Sequence, residues 1–300
     1  MGSRFSKSSG YAPFLAPGLV LFALVILAPF ATNLGISLTK WNGVGKPVWI
    51  GLANYARAFG DAVFWASFRN NLILIFAVTI IPTIVGLTLA DFLFEYVAPR
   101  AGSGAASFFR GGFYLPQVLP VAIAGVVWGW ILDPQYGVLD WTLKAVGLGG
   151  LARNWLGDAA TALPSVMFIM VWFQIGYPLV IFMSALQRID PEIMEAAEVD
   201  GASWRRRFGI VAHLVVPEIL VVVLTTTIYA LKLFGQIYVL TRGGPGNATI
   251  VPSYFAYQNF FEKARVGYGS AISTLMTLII IALTIAFINV QARQEREMAL

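Results

Sequence analysis

Six uninterrupted apolar stretches, near residues 12–36, 72–97, 108–132, 163–186, 214–239 and 269–291, leave this 300-residue chain few ways to fold. Each is long enough to cross the hydrocarbon core of a bilayer, which takes about 20 helical residues at about 1.5 Å each. Inside lipid the backbone has no water to bond to, so a spanning segment pairs its own N–H and C=O groups as a helix or closes into a barrel. Barrel strands alternate apolar and polar residues, whereas these stretches are apolar on every face, which excludes a barrel. Composition agrees, with 58% hydrophobic and 12% charged residues against about 25% charged in an ordinary soluble chain. The expected fold is an all-α integral membrane bundle of six transmembrane helices.

An even number of spans places both termini on one side of the membrane. With the termini inside, the inner segments 1–11, 98–110, 187–213 and 292–300 hold ten Lys or Arg, and the outer loops 37–70, 133–161 and 240–268 hold nine. The inner segments are shorter in total, so basic density favours that orientation by a modest margin. The resulting division is a cytoplasmic segment 1–11, a transmembrane domain 12–291 containing a cytoplasmic loop 187–213, and a cytoplasmic tail 292–300. The first apolar run passes into KWNGVGKPVWIGLANY without a small-residue cleavage site, and it reads as a retained helix rather than a signal peptide. The opening MGSRFS fits both a lipidation pattern and the remnant of an expression tag, and six spans make either irrelevant to membrane attachment.

The absence of Cys removes disulfides, thiolate metal sites and Cys nucleophiles. His213 is the sole histidine, too little for a zinc site, and reads as an interfacial side chain. A net charge of +5 without a basic, aromatic-interleaved stripe suits anionic headgroups and not nucleic acid. A phosphate-binding loop is missing: GVGKP at 43–47 has Pro where Ser or Thr is needed, and no Gly stands six positions before Lys46. The chain cannot hydrolyse ATP by itself, and no cofactor is expected on it.

The loop 187–213 is the one strongly charged segment between apolar spans. Asp190-Pro191-Glu192 supplies a capping acceptor, a proline suited to the first helical position and an acidic first turn at the positive end of the helix dipole. A short helix is predicted from Pro191 through Glu198, ended by Asp200-Gly201, with a second helix behind Ser203 as cap. Ala196 and Ala197 offer a smooth surface to another protein's backbone, and Glu195, Glu198 and Arg205 to Arg207 offer orienting charge. The segment reads as a docking element.

The run Glu195-Ala196-Ala197, followed by Gly201, resembles the signature loop of ATP-binding-cassette (ABC) importer permeases. Segments 114–140, 171–203 and 231–249, with GLANYARAF at 51–59 and GYGSAISTLM at 267–276, are similar in order and spacing to the carbohydrate-uptake branch, MalF-like members in particular. The resemblance covers roughly residues 12–290. It implies a type I (MetI/MalF-like) permease bundle in a bacterial inner membrane, whose residues Glu195, Ala196, Ala197, Glu198, Asp200, Gly201 and Ala202 dock on an ATPase. It further implies a MalG-like second permease, two ATPase subunits carrying ATP-Mg, and an extracytoplasmic solute-binding protein. The chain departs from the family pattern at Pro217, three residues late, and at His213, in a place usually aliphatic. That departure predicts a distorted junction into the fifth helix.

Polar residues within spans tend to face a bundle interior or a water-filled cavity, which nominates Gln117, Gln174, Tyr177, Lys232 and Gln236 as solute contacts. Amides and aromatic faces suit sugar hydroxyls and rings, while the same side chains also serve as glue between helices. Lys232 pairs with a carboxylate, snorkels to the surface or meets an anionic solute such as a glycerol phosphate or glycerophosphodiester. Asp91 and Glu95 read as interfacial carboxylates; as a proton relay they would indicate a proton-coupled secondary carrier, which would also need repeated halves. Gly125 and Gly129 form a GxxxG pair, and Pro29, Pro82, Pro116, Pro120 and Pro178 predict kinks. A membrane enzyme would need a catalytic cluster, and His213 with scattered acids does not form one.

Overall fold

The structure is a computed structural model that describes residues 12–298. The expectations for residues 1–11 lie outside the described residues, and the expected tail from 292 continues the last helix as far as Met298. Four helices are long and apolar enough to cross a bilayer, Phe14–Ser37, Ala62–Val118, Ala159–Leu186 and Val266–Ala292, and a bent pair, Trp204–Leu214 with Val216–Leu231, brings the number to five. All six apolar stretches are helical, but two of them are interrupted.

The run Ala62–Val118 consists of Ala62–Phe92, a π-helical turn Leu93–Val97 and Ala98–Val118, with a break at Gly102 (φ 84°, ψ 161°) that only glycine adopts without strain. It therefore holds the second expected span and the first part of the third. The third is cut at Leu119 and Pro120, both extended, and resumes as Val121–Ile131. Pro120 has no N–H to continue the ladder, and its ring forces Leu119 out of the helical region. Pro82, Pro116 and Pro178 lie within helices, and Pro29 starts the helix that follows a π-helical turn at Ala23–Leu27.

The fifth stretch begins at Val216 rather than 214. Its helix meets Trp204–Leu214 at a 70° corner on Val215, and Pro217 occupies its first turn, where a missing N–H costs nothing. The helix stops at Leu231 and resumes as Gly235–Leu240. The carbonyls freed there are claimed by side chains: buried Asn71 Nδ2 donates to Ala230 O at 2.9 Å, and the half-buried Ser253 hydroxyl donates to Leu233 O. Unwound backbone at membrane depth persists only when it is satisfied in this way.

The described residues divide into two compact units, residues 12–61 with 255–277, and residues 62–254 with 278–298. In the first, Thr39–Lys40 and Val48–Trp49 pair as an antiparallel hairpin behind Phe14–Ser37, and Ala53–Gly60 follows. Asn54 pins the hairpin by donating to Ser37 O and Thr39 O, both at 2.8 Å. Gly267 sits so close to Thr39 that a Cβ would lie 1.9 Å from its carbonyl oxygen.

The second unit is organised around Ala62–Phe92, which packs on Gly176–Leu186, Val216–Leu231 and Ala159–Gln174. Gly86 lets that central helix touch Pro178 and Leu179, where a Cβ would stand 2.7 Å from the Pro178 ring. Gly125 likewise lies against Val239, but Gly129 has open space around it, so only one member of the expected GxxxG pair makes a close contact. The central helix starts ten residues before the expected span, because Asp61 ends the preceding helix and residues 62–71 bury Phe64, Ser67, Asn70 and Asn71. Asn70 donates to the carbonyls of Asn247, Ala248 and Ile250 at 3.0–3.2 Å and so fixes the loop around 241–250.

Candidate coupling surface and solute cavity

The 187–213 loop folds into the two helices its sequence predicts, Pro191–Val199 and Trp204–Leu214. The Asp190 side chain accepts from the Glu192 N–H at 3.0 Å, a cap that stabilises a helix start by about 0.5–2 kcal/mol. At the other end Gly201 takes φ +69°; its N–H bonds to Glu198 O at 3.0 Å, and the Ala202 N–H bonds to Ala197 O at 2.9 Å. These are the two hydrogen bonds of a Schellman ending, and Asp200 donates to Ala196 O just before them. Ser203 occupies the cap position of the next helix without a side-chain hydrogen bond, contrary to its expected role.

The outward face of Pro191–Val199 carries Glu192, Ile193, Glu195, Ala196 and Val199, the last 88% exposed. Ala197 faces the other way and is 8% exposed, so the smooth surface expected of Ala196 and Ala197 is supplied by Ala196 alone. Period 3.6 puts the two alanines 100° apart, enough to separate a docking face from a packing face. Glu198 turns toward Arg207 Nη1 at 3.9 Å, while Arg207 Nη2 meets Glu95 at 3.2 Å. Trp204 Nε1 donates to Asp91 Oδ2 at 2.9 Å, and Asp91 is 1% exposed.

Below these polar ties, Leu87, Ala90 and Leu93 form one core with Leu179, Phe182 and Val211, against which Met194 and Phe208 also pack. The ion pair of Arg188 with Glu218 joins the end of Gly176–Leu186 to the start of Val216–Leu231. The short exposed helix is thus not a loose loop. It is packed and bonded against the ends of two long helices.

The polar candidates converge on a second place. Gln117, Gln174 and Tyr177 line a cavity of about 310 Å³ together with Leu119, Val121, Phe173, Thr225 and Tyr229. Gln117 Nε2 donates to Gln174 Oε1 at 3.2 Å. Gln236 stands behind this wall and donates to the Tyr229 hydroxyl at 2.7 Å. Lys232 caps the end of Val216–Leu231, is exposed, lines no part of this cavity and makes no ion pair among the described residues. His213 is exposed in the last turn of Trp204–Leu214, and no group of metal-ligating residues occurs among the described residues.

Residues 105–300 match the family described as "Binding-protein-dependent transport system inner membrane component". The chain belongs to this family. Its relatives include the probable ABC transporter permease protein YurN of Bacillus subtilis, 35% identical over 91% of this chain and 92% of that one. They also include the probable starch degradation products transport system permease protein AmyD of Thermoanaerobacterium thermosulfurigenes, 31% identical over 98% of both chains. The trehalose/maltose transport system permease protein MalF of Thermococcus litoralis is 31% identical over 93% of this chain and 90% of that one. In fold the permease is similar to a chain of a bacterial ABC transporter involved in the import of the acidic polysaccharide alginate, with a TM-score of 0.80, 21% identity and 94% of each chain covered.

The permease carries its exposed helix and its cavity on the same elements, since Gly176–Leu186 contributes Tyr177 to the cavity and Phe182 to the core under the helix. Thr225 and Tyr229 are cavity residues that the polar-in-span criterion passes over, because Thr bonds within its own helix and Tyr reads as an interfacial aromatic. The signal that could find them is spacing: at i and i+4 they share one helix face.

Proposed function

We propose that this permease forms one of two non-identical halves of an importer for a neutral sugar, oligosaccharide or related polyol, driven by ATP hydrolysis on separate subunits. Two ATPase subunits with ATP-Mg grip Pro191–Val199, a MalG-like permease completes the passage, and an extracytoplasmic binding protein delivers the solute. Both termini and the 187–213 loop lie in the cytoplasm. The family match and the relatives' roles support the importer, and the observation that carries the coupling is the exposed, Schellman-ended helix locked by Trp204 and Arg207 to the bundle. A rigid helix moved by a closing cleft rocks the helices attached to it, so the passage opens to one side at a time.

The cavity favours the solute class. Amides, hydroxyls and aromatic faces line it and no charged residue does, which suits a polyhydroxyl compound better than a glycerol phosphate. Glu95 is paired with Arg207 and Asp91 with Trp204, a use of the two carboxylates that favours a mechanical tie over a proton relay. The test is uptake of a panel of labelled neutral oligosaccharides into proteoliposomes holding the complete complex and its binding protein. Uptake that needs internal or external ATP on the ATPase side supports the proposal; uptake on a proton gradient without ATP overturns it.

A further inference from the structure

The hairpin unit contains a cationic cavity. It measures about 550 Å³ and is walled by Lys40 and Lys46 from the hairpin, Arg57 from Ala53–Gly60 and Arg265 from the residue before the last helix; no carboxylate lines it. None of the four makes an ion pair among the described residues. Arg57 is held in place, its guanidinium 4.4 Å above the Tyr268 ring, and the Tyr268 hydroxyl donates to Asp61 at 2.9 Å. Four like charges around one opening repel one another and raise the local concentration of anions.

The depth of this cavity identifies the anion. Lys40 lies three residues beyond Ser37, the end of an apolar spanning helix, and Arg265 immediately precedes Val266, the start of another. Each lies within three residues of the end of a helix long and apolar enough to cross a bilayer, the position from which a cation reaches lipid headgroups. Around the opening the hairpin exposes Val44, 80% exposed, with Val48 and Trp49. Exposed aliphatic and Trp side chains beside Lys and Arg are the pattern of a surface seated in the interfacial layer, where the ring and methyl groups meet acyl chains and the cations meet phosphates.

We propose that this cavity binds the phosphate headgroup of an anionic phospholipid and retains it through detergent extraction. The proposal rests on the membrane location of the chain and not on what it transports. The purified complex is exchanged into mixed micelles with equal amounts of phosphatidylglycerol and phosphatidylcholine, and retained lipid is read by native mass spectrometry. Phosphatidylglycerol is retained in preference, and the exposed pair Lys46→Gln with Arg265→Gln lowers that retention roughly 25-fold, about fivefold per cation. The pair Lys144→Gln with Arg153→Gln removes the same charge from another exposed loop and leaves retention unchanged, and matching thermal unfolding of the two variants shows that folding is intact. Equal retention of the two lipids, an equal loss in the control pair, displacement of the lipid by inorganic phosphate, or loss of binding-protein association with lipid retention unchanged would each overturn the proposal.

Discussion

Trp204 and Asp91, 113 residues apart in sequence, meet through a 2.9 Å hydrogen bond between the indole N–H and a carboxylate that is 1% exposed. The bond joins the second helix of the 187–213 loop to the central helix of the bundle, next to the Arg207–Glu95 pair at 3.2 Å. A hydrogen bond to a charged group contributes about 1.5–3 kcal/mol, and a buried carboxylate left without its donor costs more than the bond is worth. Trp204→Phe keeps the ring and removes the donor. It should lower stability by about 1.5–3 kcal/mol and reduce solute transported per ATP hydrolysed, measured in proteoliposomes. Asp91→Asn keeps an acceptor oxygen and should lie closer to wild type in both readouts; equal coupling in all three proteins would show that the tie is not part of the drive.

Gly201 has φ +69° and nothing within 4 Å of where a Cβ would stand, so a substitution there acts through backbone conformation and not through a clash. A left-handed residue with a side chain costs roughly 1–2 kcal/mol, enough to unwind the end of a nine-residue helix. Gly201→Val should abolish transport while membrane insertion and abundance stay normal, and Gly201→Asn should retain most activity because Asn tolerates this conformation. Gly201→Pro should behave as the valine variant does. On the exposed face Glu195→Arg reverses a charge without touching the fold, and transport loss with normal insertion is again expected.

The 187–213 loop was legible because its information is local: a cap, a proline, an acidic turn and a glycine are each read within four residues. Its anchor was not, because nothing in the sequence joins Trp204 to Asp91. Pro120 marked a kink in the third span, where the structure has a full break between Val118 and Val121. The break at 232–234 contains no proline, and it exists because Asn71 and Ser253, distant in sequence, satisfy the carbonyls it frees. Residues 62–70 were expected in the loop 37–70, whereas they are helical, and Asn70 and Asn71 donate to backbone carbonyls distant in sequence. Of the cavity, the amides were visible as polar residues in apolar runs, and Thr225 and Tyr229 were hidden by their ordinary roles in helices.

Asn70 holds three carbonyls of the 247–250 segment with one amide. Asn70→Asp is nearly isosteric but cannot donate, and it sets a carboxylate against carbonyl oxygens. Both Asn70→Asp and Asn70→Ala should speed proteolytic nicking within 241–250, with Asp the more severe because it adds repulsion to the lost bonds. Limited proteolysis of membrane-embedded protein reads this directly, and equal cleavage rates would exclude the clamp.

Gln117, Gln174 and Tyr229 separate from Lys232 in what their removal should do to the solute. Gln117 is only partly buried and bonds to Gln174 at 3.2 Å, so Gln117→Leu removes a donor from the cavity wall without exposing a large buried surface. Loss of one hydrogen bond to a solute hydroxyl, about 0.5–1.5 kcal/mol, raises the KM for uptake about two- to twelvefold. Basal ATP hydrolysis should not change, because Gln117 lies outside the Pro191–Val199 helix proposed to meet the ATPase. Tyr229→Phe removes both a cavity hydroxyl and the 2.7 Å acceptor of Gln236, so it should raise KM and also lower thermal stability. Lys232 lines no part of the cavity, and Lys232→Gln should leave KM unchanged; a KM rise in that variant alone would move the solute path to the helix break at 232–234 and favour an anionic cargo.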